Sequence, residues 1–249
     1  MQYKGNHYKV ICVLPAYNAE KTLKNTIEDI DRDWVDEIIL VDDCSRDNTA
    51  ELAKKLGIDQ IIEHTKNLGY GGNQKTCYQK ALDQKADIVV MVHPDHQYNP
   101  KLIPQMVKPL MENQCDAVFG SRMLGGEFFE GGMPRWKFYA NIMLTAFANM
   151  MLGIYLTEFH TGFRAYSRNY LESINFKVNS NNFVFDTEII IQGIQKQMKF
   201  HEIPIDTRYF EEASQINLSD SIRYGLGILK RLLIYKLFRA GIIKHRLFQ

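Results

Sequence analysis

Four short apolar runs punctuate the first part of the chain: residues 9–14 (KVICVL), 37–41 (EIILV), 58–62 (IDQII) and 87–92 (DIVVMV). Their length and β-branching predict buried strands, the first ending at Pro15. Between them the apolar positions change to helical spacing. Leu23, Ile27 and Ile30 mark a helix over 20–30, residues 47–56 form a second that opens on Asp47 as an N-cap, and 71–85 form a third. Strands that are apolar throughout and alternate with helices predict a parallel sheet covered on both faces. Such sheets bind ligands beyond the carboxyl ends of their strands, near the point where strand order reverses. The polar residues just after each strand are therefore the candidates: Tyr17 and Asn18, Asp42 and Asp43, the stretch 64–72, and the stretch 93–97.

After Gly120 the pattern changes. Gly125, Gly126, Gly131 and Gly132 bracket a predicted mobile loop. A long, mostly apolar helix follows over 136–152, then a short strand over 162–167, a helix over 183–197, and an edge strand over 201–210 with Pro204 near its start. No linker and no internal repeat interrupt this, so one α/β domain over 1–215 is expected, followed by a helical extension over 216–249. In the extension Lys230, Arg231, Lys236, Arg239, Lys244 and Arg246 interleave with Leu232, Leu233, Ile234, Leu237, Phe238, Ile242 and Ile243. That basic amphipathic pattern fits a helix lying on an anionic membrane, and fits equally a helix packed on the domain.

Composition narrows the class. Of the 249 residues, 45% are hydrophobic and 24% charged, the balance of a folded domain and not of a disordered chain. The net charge of +1 provides no general field for nucleic acid. Cys12, Cys44, Cys77 and Cys115 form no CxxC pair, and Cys12 and Cys44, in or beside apolar runs, read as small core residues of a reducing compartment. No run approaches the roughly 18 apolar residues of a spanning helix. The expectation is a cytoplasmic protein that touches the inner face of a membrane without crossing it.

Three loops carry candidate chemistry. In VDDCSRDNT, one of Asp42 and Asp43 could accept from a nucleobase N–H while its neighbour caps the next helix or meets a ribose; two turn-forming aspartates account for the segment equally well. Lys66, Asn67, Gly69, Gly71 and Gly72 form a glycine-rich loop entering a helix, where backbone N–H groups can approach phosphate. The loop is neither GxGxxG nor Walker A, which argues against a dinucleotide-dependent dehydrogenase. His93, Asp95 and Gln97 alternate directly after the fourth strand, and in an extended segment alternation points all three to one side. A carboxylate there can hold Mg²⁺ or Mn²⁺ against a diphosphate, and a histidine beside it shifts the expectation towards Mn²⁺.

Taken together, PAYNAEKTL, VDDCSRDNT, KNLGYGGN, HPDHQYNP, GSR at 120–122 and HTGFRAYSR at 160–168 resemble the family 2 glycosyltransferases of GT-A fold, in particular the polyprenyl-phosphate sugar synthases. The resemblance runs from about residue 10 to about residue 205. It implies Pro15 and Tyr17 against a nucleotide, Asp43 or Asp42 on the base, Asp95 on a metal with Gln97 beside it, Arg122 near the donor sugar or diphosphate, and Arg164 near the acceptor or the phosphates. One position departs from the pattern: His93 stands where the family has the first acid of Asp-x-Asp. Glu158 lies where these synthases carry an acidic residue. It could take a proton from an acceptor hydroxyl as that attacks the anomeric carbon with inversion, with His160 competing for the role. A lipid phosphate acceptor is already ionised and needs no strong base, which would leave Glu158 to orient groups or bind metal. Arg135 and Lys137 flank Trp136 and suit an anionic lipid headgroup as well as a solvated helix start. The implied activity is inverting sugar transfer from a UDP- or GDP-sugar donor to a polyprenyl phosphate or another envelope glycan precursor, with a divalent metal. The rival readings are transfer to a soluble glycan and nucleotide-sugar binding without transfer.

Overall fold

The computed structural model describes residues 1–126, 132–206 and 218–248. It begins with a small antiparallel hairpin, β1 (Gln2–Tyr3) and β2 (Asn6–His7), that the apolar pattern does not announce. Lys4 and Gly5 turn it, both at positive φ, a conformation that glycine adopts freely.

The strand and helix alternation then follows in order: β3 (Val10–Ala16), α1 (Leu23–Glu28), β4 (Glu37–Asp42), α2 (Thr49–Lys55), β5 (Gln60–Glu63), α3 (Tyr70–Asp83) and β6 (Ile88–Met91). β3 is central and buried along its whole length. Ile11 and Val13 enter one apolar layer while Val10, Cys12 and Leu14 enter the other, so both faces of the sheet are covered. This is why the strand reads as continuously apolar and not alternating.

The second half adds α4 (Ile103–Met111), β7 (Ala117–Ser121), the short α5 (Arg122–Gly125), α6 (Arg135–Leu152), β8 (Arg164–Ser167), α7 (Arg168–Ser173), α8 (Phe185–Gln195), β9 (Phe200–Pro204) and α9 (Leu218–Arg239). Among the described residues the main sheet has seven strands in the order β5-β4-β3-β6-β8-β7-β9. All neighbours are parallel except β8, which runs antiparallel to both β6 and β7. The sheet is thus mostly parallel, not uniformly so. β9 is the edge strand expected from the HEIP segment, but Pro204 closes it instead of opening it.

One layer of helices, α1, α2 and α4, covers one face through Leu23, Ala53 and Ile103. The other face carries α3, α6, α8 and α9 through Tyr78, Ala148, Ile190 and Leu232. The inner face of α9 (Ile228, Leu232, Tyr235) therefore belongs to the same core as the sheet, and Arg231 pairs with the buried Glu188. The expected boundary between residues 215 and 216 lies outside the described residues, as do 127–131 of the glycine-bracketed loop and 207–210 of the expected edge strand.

Candidate active site

The order of strands places one rim of the sheet at the chemistry. β3 has β4 on one side and β6 on the other, so strand order reverses there and a crevice opens beyond the carboxyl ends. The exits of β3, β4, β6 and β7 all reach this rim. Because β8 runs backwards, it is the segment entering it, 158–162, that meets them. A cleft of about 770 Å³ fills the crevice, a size that suits a nucleotide-sized ligand. Its walls include Pro15, Tyr17, Asn18, Asp43, His93, Asp95, Gln97, Arg122 and His160. Asp42, Lys66, Gly72, Glu158 and Arg164 do not line it.

At the end of the cleft under the β3 and β4 exits, Asn18 ties two loops together: its backbone N–H donates to Ser45 Oγ at 2.8 Å and its Oδ1 accepts from Arg46 N–H at 2.9 Å. Asp42 turns back on itself, accepting from the Ser45 backbone and hydroxyl. Asp43 is the member of the pair that faces the cleft, yet its carboxylate is already occupied. Oδ1 accepts from Leu68 N–H at 2.8 Å and lies 2.7 Å from His64 Nδ1, and Oδ2 accepts from Gly69 N–H at 2.9 Å. VDDCS and KNLGYGG are thus one hydrogen-bonded unit. Asn73 completes it by donating to the carbonyls of Ala16 and Val41, across the ends of β3 and β4.

The glycine-rich loop has a different use from the one expected. Gly69 N–H goes to Asp43, and Gly71 N–H goes to the Asn181 carbonyl at 2.8 Å. A Cβ at Gly71 would fall 2.4 Å from the Ser180 carbonyl oxygen, and one at Gly72 2.8 Å from Leu68 Cβ. Gly69 and Gly71 let α3 approach the 180–185 segment closely, and their amides, with that of Leu68, are used inside the protein. Lys66 is exposed and stands away from the cleft.

His93, Asp95 and Gln97 do share the cleft, but not through an extended segment. Pro94 to His96 form a turn, His96 adopts φ of 57°, and Gln97 N–H donates to Asp95 Oδ1 at 3.1 Å. His96 is turned away to Asp29. The His93 ring stacks on Tyr70, with Nε2 3.3 Å from the Tyr70 hydroxyl. Tyr70 in turn donates to Asp186 at 2.8 Å. Burial, reinforced by the Arg164 charge, lowers the His93 pKa to about 4, so the imidazole is neutral near pH 7. Among the described residues no three His, Cys, Asp or Glu side chains converge as a metal cage.

Arg164 is the clearest departure. It is fully buried on β8, donates to the carbonyls of Phe159, Thr161 and Asp186, and lies 3.5 Å from the Asp186 carboxylate. Arg164 cannot touch an acceptor in the cleft; Asp186, which does line it, stands between. Burial raises the Asp186 pKa, and the Arg164 charge works against that rise. Sequence reasoning passed over Asp186 and Tyr70. The available signal was a pair of acids, Asp186 and Glu188, inside the apolar run FVFDTEII, at a helix start.

Glu158 is likewise beneath the cleft. Its carboxylate accepts from the Arg122 backbone N–H at 2.8 Å, from Arg122 Nε at 2.7 Å and from Asn141 at 2.8 Å. Burial alone would raise its pKa, but the Arg122 charge and these donors outweigh it and hold the carboxyl below the usual range. A carboxylate so stabilised is a poor proton acceptor; its work is to hold Arg122. Lys137 of α6 lines the cleft near Arg122, and its pKa is lowered by burial and by that neighbouring charge. His160 completes this end. Its Nδ1 lies 3.0 Å from the Tyr224 hydroxyl of α9, its Nε2 is buried with no hydrogen-bond partner, and burial lowers its pKa to about 4. Tyr224 is a wall residue that sequence reading, intent on the cations of the extension, did not single out.

The family model for "Glycosyl transferase family 2" matches residues 11–174. The UDP-N-acetylglucosamine–dolichyl-phosphate N-acetylglucosaminyltransferase of Methanococcus voltae is 29% identical over 244 residues, covering 92% of this chain and 96% of that protein. The undecaprenyl-phosphate mannosyltransferase of Micrococcus luteus is 26% identical over 207 residues, covering 79% and 82%. Glucosyl-3-phosphoglycerate synthase of Mycobacterium tuberculosis, solved with Mn²⁺, UDP and glucosyl-3-phosphoglycerate, shares the fold: the TM-score is 0.69 at 19% identity, over 95% of this chain and 81% of that one.

Proposed function

The chain belongs to glycosyl transferase family 2 and has the GT-A fold, and on that premise we propose that it moves a sugar from a UDP- or GDP-linked donor to a polyprenyl phosphate, with inversion. The observation that carries this reading is the polarity of the cleft. One end is built by the β3 and β4 loops around Asn18 and Asp43, Asp95 lies at the β6 exit, and the other end gathers Arg122 at the β7 exit and Lys137 of α6. A nucleotide fits the first end, its diphosphate the centre, and an anionic acceptor the second. The acceptors printed in the names of the two relatives, dolichyl phosphate and undecaprenyl phosphate, have this chemistry.

In the proposed reaction a phosphate oxygen of the acceptor attacks the anomeric carbon while the bond to the donor's β-phosphate oxygen breaks, and the nucleoside diphosphate leaves. The attacking oxygen is already anionic, so no side chain has to remove a proton. This agrees with a cleft whose histidines are neutral and whose nearest buried glutamate is tied to Arg122. Arg122 and Lys137 would orient the acceptor phosphate and offset its repulsion from the diphosphate.

The residues around Asp95 fit a divalent ion held jointly with the donor. One carboxylate and a neutral imidazole are too few for a protein cage, but Mg²⁺ or Mn²⁺ commonly takes its remaining ligands from substrate phosphates and water. Asp95, with His93 and Gln97 beside it, would hold the ion, which would offset the charge of the departing diphosphate. In this reading residues 216–249 serve the 1–215 domain as a wall of the acceptor end.

The test is nucleotide release from a panel of nucleotide sugars, with a short-chain polyprenyl phosphate and with soluble glycans, each with and without Mn²⁺ or Mg²⁺. A glycosylated lipid phosphate as the product supports the reading. Transfer to soluble glycans alone, or tight donor binding with no turnover, overturns it.

A further inference from the structure

We infer that the outward faces of α6 and α9 form one docking surface for a lipid bilayer carrying anionic headgroups. This deepens the proposed lipid acceptor and rests on that reading for the reason a bilayer lies near the cleft. A helix on a globular domain ordinarily turns polar residues outward. These two do the opposite. On α6, Tyr139, Met143 and Met150 point away from the core; on α9, Ile222, Leu226 and Leu233 do so, with Met143 72% and Leu226 63% exposed. The spacing of four and seven aligns each set along one side of its helix. The helices pack on each other, and Gly225 leaves room for Leu144 of α6 against the α9 backbone, so the two stripes share one face of the molecule. A contiguous apolar surface of that kind marks an interaction site.

Charge selects the occupant. From Arg135 to Leu152 and from Ile222 to Arg239 neither helix carries an acidic residue. Arg223 and Lys230 lie within one turn of Leu226, Lys236 is one turn beyond Leu233, and Arg135 stands at the start of α6; all four are exposed. A second copy of the chain would set these cations against their own kind, whereas an anionic leaflet complements them. The face also continues into the cleft, because Trp136, Leu144 and Tyr224 of the same helices line its acceptor end. No described helix is long and apolar enough to cross a membrane, so the pair would lie in the interface, its apolar side sunk roughly 5–10 Å. A prenyl chain could then stay in the bilayer while its phosphate reaches Arg122.

The test uses the full chain with vesicles of phosphatidylcholine alone and of phosphatidylcholine mixed with phosphatidylglycerol, followed by sedimentation. The wild type should bind the mixed vesicles and lose much of that binding in high salt. The pair Met143→Gln and Leu226→Gln should weaken partition by about tenfold or more, since buried methylenes drive it. Turnover of a water-soluble short-chain polyprenyl phosphate should stay unchanged while transfer to acceptor embedded in vesicles falls with the partition. Met150→Gln with Leu233→Gln is the second pair, read in the same way if circular dichroism shows the first misfolded. Absence of vesicle binding, equal binding by both pairs and the wild type, or a solution dimer that the same substitutions dissociate, each overturns the docking surface. Vesicle binding that the substitutions abolish, in a protein that glycosylates no polyprenyl phosphate, supports the surface and overturns the acceptor reading alone.

Discussion

Arg122 Nε lies 2.7 Å from Glu158 Oε1 while the Arg122 backbone N–H donates to Oε2 at 2.8 Å, joining the exit of β7 to the entry of β8 across 36 positions of sequence. One carboxylate thus holds both the main chain and the side chain of a cation that lines the cleft. The arrangement separates two roles that sequence alone leaves together, general base and anchor.

Glu158→Gln should cost about 3 kcal/mol of stability, the usual result of removing one partner from a buried ion pair. As an anchor, its loss should lower kcat/KM by about tenfold without changing the shape of the pH–rate profile. Thermal unfolding and a pH series of kcat measure both. A fall of about a thousandfold in kcat with stability intact would restore Glu158 as the base.

The pH dependence of stability has two parts. His93 and His160 have folded pKa values lowered from 6.5 to about 4, so between those values the unfolded chain binds more protons and stability falls as pH falls. Each residue is partly exposed, so the loss is on the order of 2 kcal/mol per histidine, less than the full shift would give. Glu158 adds a loss at lower pH: its depressed pKa contributes stability above 4.5 that disappears as pH falls through the folded value. Urea unfolding at pH 7, 5.5 and 4.5 should show the decline, and His160→Gln should flatten the upper part of it. A His160→Gln protein with the wild-type slope would contradict this.

Asp95→Asn keeps shape and removes charge. The expected outcome is an unchanged melting curve with kcat lower by about a hundredfold, in line with losing one electrostatic element of a transition state. Chelation of divalent ions should reduce the wild type to the same level and leave the variant where it is. Additive losses from chelation and substitution would place the ion elsewhere.

Asp43→Asn replaces an acceptor of three hydrogen bonds by a group that can accept at only one of its two atoms. Either Leu68 N–H loses its acceptor or Gly69 N–H is left with Asn67 Oδ1 alone, which should cost on the order of 2 kcal/mol and raise the donor KM by loosening the loop. Calorimetry with donor titration checks it. A raised KM with full stability would favour direct contact with the base.

Gly71→Ala tests whether the glycines serve packing. Its Cβ would meet the Ser180 carbonyl at 2.4 Å and Phe185 Cβ at 2.7 Å, atoms that can move only with the backbone or the core. A loss of about 2 kcal/mol is expected, with donor affinity reduced less than stability. Full stability in the variant would show that the two segments do not pack as described.

What the sequence disclosed follows from what each residue's neighbours are. β3, β4 and β6 were legible because parallel strands buried on both faces leave an unbroken apolar signature, and their exits located Tyr17, Asp43 and Asp95. β7 was overlooked because AVFGS is short and ends in glycine and serine, and β8 shows nothing of its reversed direction, which depends on its partners. Arg164 illustrates the limit most plainly. An arginine in HTGFRAYSR resembles a phosphate ligand, and only the placement of β8 between β6 and β7 shows that it is used on three carbonyls and Asp186. The glycines of KNLGYGG were read by local chemistry, but Gly69 and Gly71 are required by the segment 180–182, more than a hundred positions away.

The contact between His160 and Tyr224 also orders events in time. Residues that build the nucleotide end, 10 to 97, leave the ribosome first and can pair strand by strand as they emerge. The acceptor end waits for residue 224. A nascent chain therefore completes its walls in sequence, the β3–β4 end once residues 180–182 have met α3 and the opposite end only with residue 224.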